Sequence, residues 1–289
     1  MNKSIFVWNC QGAASNSFHR MLKSLLQGYR PEIIVLVEPR ISGIKANKVI
    51  KKLGYPHSHR VEASGFSGGI WLMRSTNVLV SVLNNHQQFI HTSISDSTGG
   101  SKALFTAVYA SPNPSMRETL WADLINLERD DNATWLLAGD FNATIAHDER
   151  KGGSKLNQSG CKKFHHFSQR LGLLDLGYIG PRFTWQRGNL MVRLDRALCN
   201  EKWLMEQPTT HVLHLPKAQS DHRPLLIKAK NGGSRNNPTF CFLASWILHP
   251  DFHNLVSNSW ASNKCLSENI SLFVEKAQHW NRETYGQVG

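Results

Sequence analysis

Three apolar, β-branched runs each end in a side chain that carries oxygen. IFVW ends in Asn9, IIVLV in Glu38, and WLLAG in Asp140 with Asn142 two residues on. Asp140 and Asn142 share a face if the strand continues through them. Carboxylate and amide oxygens are hard donors of the kind Mg²⁺ takes when it keeps several waters and one or two carboxylates. A further group is Ser220-Asp221-His222, with Asp195 upstream in RLDR. An imidazole steadied by a carboxylate is the recurring unit of acid–base and electrostatic catalysis. Each residue also has a plain structural role. Asn9 can begin a turn before Gly12, Glu38 before Pro39 can be a solvated strand end, and GDFN is made of turn residues. An S-D-H tripeptide can be no more than a buried histidine with one hydrogen bond. Three apolar strands ending alike are harder to assign to turns.

The elements that must position these residues are legible as short runs: SIFVWN, EIIVLVE, GGIWLM, NVLVSVL, ALFTAVYA, TWLLAGDFN, RFTWQ, HVLHL and PLLIKAK read as strands. Helical spacing lies between some of them. Asn16 or Ser17 can cap a helix to about Leu26, with Phe18, Met21, Leu22 and Leu25 on one face. Ser115–Leu127 and Ser159–Leu171 are similar, the second turning Phe164, Phe167 and Leu171 inward and stopping near Gly172. Strands that follow one another directly, mixed with strands that alternate with helices, predict mixed sheets covered by helices. No internal repeat can be read from spacing. The polar stretch from Lys230 to Pro238 is the best boundary, dividing a domain over 1–230 from a segment over 231–289. FCFLASWILHPDFHNLVSNSW and SLFVEKAQHW in that segment look helical and amphipathic.

The chain has 33 Lys/Arg against 21 Asp/Glu, a formal charge of +12. Residues 231–289 hold four of each sign, so the whole excess lies in 1–230. A basic domain attracts polyanions. The five cysteines are scattered without a C-x-x-C pair, which argues against a disulfide framework and a cysteine zinc site. No stretch has the length of a membrane span or a signal-peptide core, so a membrane partner and secretion are not expected. There is no G-x-S-x-G elbow, Walker motif or G-x-G-x-x-G after a strand, which speaks against serine hydrolases and nucleotide-cofactor folds. His165 and His166 sit on a polar helix face and read as surface residues.

WNCQG, the strand ending in Glu38, GGIW, YASPNP, GDFN, RLDR and SDHRPLL occur in an order that resembles the endonuclease/exonuclease/phosphatase superfamily over about residues 4–228. The finer likeness is to the endonuclease domain of plant LINE-type (non-LTR) retrotransposon polyproteins, carried by YASPNPSMRETLW, WLLAGDFNATIAHDERKGG and FTWQRGNLMVRLDRALCNEKW. FCFLASWILHPDF and WNRETYG resemble the connector that precedes the reverse transcriptase in such polyproteins. The resemblance implies a DNase I-like four-layer α/β sandwich, with two mixed β-sheets face to face and helices outside. It implies Mg²⁺-dependent nicking of DNA, with Mn²⁺ as the alternative ion. DNA would be the partner, joined by retroelement RNA or a reverse transcriptase in a polyprotein. Oligomeric state stays open. Action in the nucleus follows from the substrate, and otherwise the cytoplasm is expected.

The same resemblance distributes roles. Glu38 would be the principal metal ligand, with Asn9 and Asp221 close by. Asp140 would orient or deprotonate the attacking water, Asn142 would help position it, and His222 held by Asp195 would meet the scissile phosphate. Tyr109, Thr184 and Ser220 match positions that line the phosphate site. Basic side chains at Arg150, Lys151, Lys155, Arg182, Arg187 and Arg193 are candidates for phosphate contacts, and Gln186–Val192 for a hairpin that reaches a DNA groove. Two other readings stay open: a phosphodiesterase or phosphatase of the same fold with another substrate, and a catalytically silent nucleic-acid-binding remnant.

Overall fold

Strands that are apolar on both faces must be covered on both faces, and the computed structural model shows how. It describes residues 2–63, 68–97, 99, 102–127, 133–153, 160–230 and 250–283. The chain divides into two units, Met1–Gly233 and Ser234–Gly289.

In the first unit, β1 (Asn2–Asn9), α1 (Asn16–Tyr29) and β2 (Ile33–Val37) make a β-α-β unit whose strands run parallel. After α2 (Gly43–Leu53) come β3 (His57–Val61), β4 (Ile70–Arg74), β5 (Val78–His86) and β6 (Phe89–Asp96). A second β-α-β unit follows: β7 (Ala103–Tyr109), α3 (Pro114–Ile125) and β8 (Trp135–Asp140), again with parallel strands. The rest comprises β9 (Arg150–Lys151), α4 (Lys162–Arg170), β10 (Leu174–Asp175), β11 (Trp185–Arg187), β12 (Leu190–Val192), β13 (Asp195–Cys199), α5 (Glu201–Glu206), β14 (His211–His214) and β15 (Leu225–Lys230).

Two six-stranded sheets result, in the orders β14-β15-β1-β2-β4-β3 and β10-β13-β8-β7-β6-β5, with a small sheet β11-β12-β9 beside them. Each large sheet contains one parallel pair among antiparallel neighbours. The architecture therefore holds two related halves, each centred on a β-α-β unit, which residue spacing did not show.

Alternate residues of both sheets, among them Val7, Val35, Leu72, Phe105, Leu136 and Ile227, fill the space between them. The outer face of the first sheet packs under α1 and α2 through Phe6, Trp8, Phe18, Leu22, Val49 and Ile50. The outer face of the second packs under α3 and α4 through Trp121, Phe141, Phe164 and Phe167. The order helix, sheet, sheet, helix is the expected four-layer sandwich.

The helices expected in the first unit form, but the cap of the first is Ser15, one residue before Asn16 and two before Ser17, both of which lie inside the first turn. Ser15 accepts from the Phe18 amide, and α1 runs one turn beyond Leu26. Asn113 caps α3, with Pro114 at its first position. α4 begins at Lys162, and Ser159 lies outside the described residues. α2 was not foreseen: its one apolar stripe, Ala46, Val49 and Ile50, is masked by four lysines. The second unit contains α6 (Phe252–Asn258) and α7 (Leu266–Glu283), with Phe252 against Trp280. The FCFLASWILH stretch lies outside the described residues. Among the described residues no helix is long and apolar enough to cross a membrane.

Candidate active site

The carboxyl ends of both parallel strand pairs meet at one end of the sandwich. β1 ends in Asn9, β2 runs into Glu38, β7 ends in Tyr109 and β8 ends in Asp140. Two antiparallel neighbours add residues from their starts. Asp195 opens β13 directly opposite Asp140, and Asp221 and His222 lie just before β15, which pairs with β1. Ligands of open α/β sheets collect at such carboxyl ends.

Asp140 is buried and held on both oxygens. Its Oδ1 accepts from the Asn142 amide at 2.9 Å, and its Oδ2 accepts from Asn9 Nδ2 at 2.9 Å and Asn142 Nδ2 at 3.1 Å. Asn142 also donates to the Ala110 carbonyl at 2.8 Å, its backbone held at φ +45°. Gly139, just before Asp140, lies so close to β7 that a Cβ there would fall 1.8 Å from the Val108 carbonyl oxygen. Only glycine fits, and it lets β8 deliver Asp140 beside Tyr109.

His222 is surrounded by three carboxylates. Its Nδ1 meets Asp195 Oδ2 at 2.8 Å, and its Nε2 stands 3.8 Å from Asp140 Oδ2 and 3.8 Å from Asp221 Oδ1. Burial works against charging this imidazole, but Asp195 and then Asp140 outweigh it and hold its pKa up at about 9. Asp140 moves the other way for a carboxylate. Burial and then the charge of Asp195 push it up to about 7, against the pull of His222 and the Asn9 hydrogen bond. At neutral pH the imidazole is therefore a cation between two acids, with Nδ1 committed and Nε2–H aimed into the site.

Glu38 takes a left-handed backbone, φ +54°, just before Pro39. Its amide donates to the Gly69 carbonyl at 3.1 Å, and its own carbonyl accepts from the Gly12 amide at 2.8 Å. The carboxylate accepts from the Tyr109 hydroxyl on one oxygen and from Arg40 on the other, with Arg40 Nε at 3.0 Å. Burial, and then Glu38 itself, drive the Tyr109 phenol far above its ordinary range, so it stays a donor. Arg40 escaped the sequence reading, although its position two residues after a candidate ligand was a usable signal.

The donor set suits a divalent cation. Asp221 Oδ2 accepts from Trp185 Nε1 at 2.9 Å, while its Oδ1 is buried without a hydrogen-bond partner. That oxygen has the His222 imidazole 3.8 Å away but accepts no hydrogen bond, which leaves its lone pairs open to a cation. Glu38 already holds a guanidinium, the behaviour of a carboxylate placed to take a cation. Asp140, Asp195 and His222 also bring ligand atoms within 4.8 Å of one another. The all-oxygen group of Glu38, Asp221 and Asn9 has the donor chemistry that a hard ion takes.

A model of the endonuclease/exonuclease/phosphatase family matches residues 6–222, from β1 to His222 itself. The chain belongs to this family. Its name spans hydrolases of phosphodiesters and phosphomonoesters. No curated protein sequence matches the chain. Among solved structures, this family member resembles an AP endonuclease of Leishmania major at 15% identity, TM-score 0.64, covering 80% of this chain and 88% of that one. It resembles a 3′ phosphatase of Neisseria bound to a product DNA hairpin at 19% identity, TM-score 0.60, covering 80% and 100%. The endonuclease domain of TRAS1, a telomere-specific non-LTR retrotransposon, is similar at 13% identity, TM-score 0.58, covering 81% and 100%. At these identities the likeness establishes the fold.

The structure corrects part of the expected phosphate contacts in this family member. Arg193 is buried, donating to Glu149 at 3.0 Å and Asp175 at 2.7 Å, and so is not offered to a phosphate. Ser220 and Thr184 are buried, and their hydroxyls are taken up by the backbone. The Ser220 hydroxyl donates to the Asn9 carbonyl at 2.8 Å, and Thr184 Oγ1 accepts from the Leu194 and Asp195 amides at 3.0 Å. They hold the Asp221–His222 turn and the start of β13 in place. Arg187 does reach the site. Its side chain is 75% exposed, and its Nη2 lies 3.4 Å from Asp221 Oδ2. It stands on the hairpin of β11 and β12, which agrees with the expected Gln186–Val192 hairpin. Arg182 is paired with Asp148, Lys151 is exposed, Arg150 is half-buried, and Lys155 lies outside the described residues. His165 and His166 are exposed, as expected.

Proposed function

We propose that the protein is a divalent-metal-dependent DNA endonuclease that nicks its target for a LINE-type retroelement, with Mg²⁺ as the working ion and Mn²⁺ as an alternative. One observation carries the reading. Asp140, Asp195 and Asp221 converge on His222 at one end of a basic domain, the end at which β2 runs into Glu38. DNA as the substrate is supported by the formal charge of +12 and by the likeness to the TRAS1 endonuclease domain. The plant LINE assignment rests on the motif resemblance, as does the role of the 231–289 segment as a connector toward a reverse transcriptase. In that setting retroelement RNA or the polymerase would be partners, and the work would be done in the nucleus.

Glu38, Asp221 and Asn9 would hold the metal, which supplies charge to a phosphoryl oxygen and so favours attack at phosphorus. Asp140, its pKa raised to about 7, is a stronger base than a free carboxylate and can take a proton from water near neutrality. Asn9 and Asn142 fix its orientation. His222 presents Nε2–H to the phosphate as charge builds there, and Asp195 holds the ring and its charge. Tyr109 keeps Glu38 in line through its one hydroxyl proton and would line the phosphate site. Arg187 at the rim suits a neighbouring backbone phosphate.

The test is conversion of supercoiled plasmid to open circles by purified protein with Mg²⁺, beside Glu38→Ala and His222→Ala. Nicking by the wild type that both variants lose by at least about a hundredfold is the expected result. The Neisseria 3′ phosphatase favours a second reading, removal of a terminal phosphate from DNA. Intact plasmid with phosphate released from a 3′-phosphorylated hairpin would select it. A folded protein that binds DNA and does neither would be a silent remnant.

A further inference from the structure

The two outer helical layers differ in charge. Over the second sheet the signs are mixed: Lys163 pairs with Glu118, and Asp123 lies 3.6 Å from His86. Over the first sheet, α1 and α2 contain no Asp or Glu at all. Their solvent face shows Arg20 and Lys23 on α1, and Lys45, Lys48, Lys51 and Lys52 on α2, all exposed. Arg30, the C-cap of α1, extends the row. None of these cations takes part in an ion pair of the described residues. Residues 16–53 hold eight Lys/Arg and two Asp/Glu, so half of the net +12 sits on this short stretch. Both acids are engaged, Glu32 by the Ser4 amide and hydroxyl at 2.7 Å and Glu38 by Arg40 and Tyr109.

The arrangement is ordered along the surface. Lys45, Lys48 and Lys52 fall on one stripe of α2, while Ala46, Val49 and Ile50 face the core. Seven residues of helix rise about 10 Å, so the stripe spaces its ammonium groups in steps of about 5 Å. At the far end, between the C-terminal ends of α1 and α2, lies a groove of about 500 Å³. Lys23 and Arg30 line it beside Tyr55, whose hydroxyl donates to the Pro31 carbonyl at 2.8 Å and so fixes the ring. Gln27, Thr76 and Asn77 add amides and a hydroxyl to the lining. This groove is at the opposite end of the strands from Asn9 and Glu38. Helix α1, 14 residues and about 21 Å long, separates the two.

Unpaired cations along a track, ending in a groove with a fixed aromatic ring, are the elements that hold a single nucleic-acid strand. Amides and hydroxyls beside the ring are suited to a ribose 2′-hydroxyl. We propose that the outer face of α1 and α2 is a second nucleic-acid site that holds a strand of RNA apart from the catalytic cleft. The inference rests on the reading above only in taking the protein to work on nucleic acid.

The probe is a fluorescein-labelled single-stranded RNA of about 20 nucleotides, long enough to exceed one site. Its binding to the full chain is followed by anisotropy in EDTA across a salt series. The variants are Lys45→Glu/Lys48→Glu/Lys52→Glu and, for the groove end, Lys23→Gln/Arg30→Gln, each checked for an unchanged melting curve. Removing three phosphate contacts should weaken RNA binding on the order of a hundredfold and flatten the slope of log K against log salt by about 2. Nicking of a short DNA duplex by the same variants should stay within about twofold of wild type, since none of these residues lies at the site. RNA affinity unchanged in both variants would overturn the proposal. So would DNA of the same sequence binding as tightly, or duplex nicking that falls in parallel with RNA binding. If no sample nicks, yet RNA binding still depends on the lysine stripe, the nuclease reading fails and this one stands.

Discussion

Two buried charge clusters share strand β13, one on each face. Asp195 points between the sheets to His222, and the next residue, Arg196, points outward to Glu149 and Asp175. On the outward side Arg193 and Arg196 meet Glu149 and Asp175, two cations against two anions. Burial alone would raise both carboxyls, but Arg196 and Arg193 outweigh it and hold them below the ordinary range. On the inward side Asp140, Asp195 and Asp221 surround one imidazole, and Asp140 is driven up. The balanced cluster is finished as it stands. The inward one gathers three carboxylates around one imidazole, with Arg187 at its rim, and the proposed metal would add positive charge there. Sequence position therefore says little about role: adjacent residues of one strand serve stability and chemistry in turn.

The contrast is broken most sharply at Glu149, which accepts from Arg193, Arg196 and the Ile145 amide at 3.0, 2.9 and 2.6 Å. Glu149→Gln leaves two buried guanidiniums with one carboxylate between them. Removing one partner of such a network costs about 3 kcal/mol or more. The midpoint of urea unfolding should fall accordingly, while nicking per folded molecule changes little. A loss below about 1 kcal/mol would show that this cluster is no more structural than a surface pair.

Asp221→Asn is the converse, because the amide nitrogen can occupy the position of the unpaired Oδ1 while the oxygen still accepts from Trp185. Melting without metal should stay level or rise. Mg²⁺ affinity measured by calorimetry, and nicking with it, should drop on the order of a hundredfold, or about 2.7 kcal/mol. A variant that melts lower and binds Mg²⁺ normally would make Asp221 a structural residue and break the comparison.

Those outcomes bear on what could be read beforehand. Glu38, Asp140, Asn142 and His222 were legible because several apolar strands end or begin alike, and turns alone do not account for that joint pattern. Arg193 was misread because its partners lie 44 and 18 residues away in the chain, at Glu149 and Asp175. A basic residue beside RLDR looks the same whether it faces DNA or a buried acid. The two β-α-β halves were hidden because central strands buried on both faces look alike. α2 was hidden because only three of its eleven positions face the core, the rest being polar or exposed. Arg40 and the Trp185–Asp221 bond depend on tertiary closure, which no local pattern records.

The finest test is pH, since the two clusters should respond in opposite directions. A carboxyl held below its ordinary range contributes stability at neutral pH and loses it on acidification, so Glu149 and Asp175 resist only from the alkaline side. His222 is held above its unfolded value of about 6.5, so its contribution is complete below that pH and is lost as pH rises to about 9. Asp140, held up to about 7, likewise favours the folded state at low pH and loses this from about 4 upward. Without metal, stability should therefore fall between pH 7 and 9, by no more than about 1.4 kcal/mol per pH unit for one proton. His222→Gln should flatten that decline. With Mg²⁺ present, nicking should rise as Asp140 deprotonates near 7 and fall as His222 deprotonates near 9. Asp195→Asn removes the strongest charge holding the imidazole proton, so the alkaline limb should move to lower pH while the acid limb is not driven upward. An alkaline limb that stays in place would mean that His222 is not the titrating group, and that the inward cluster lacks the acid assigned to it.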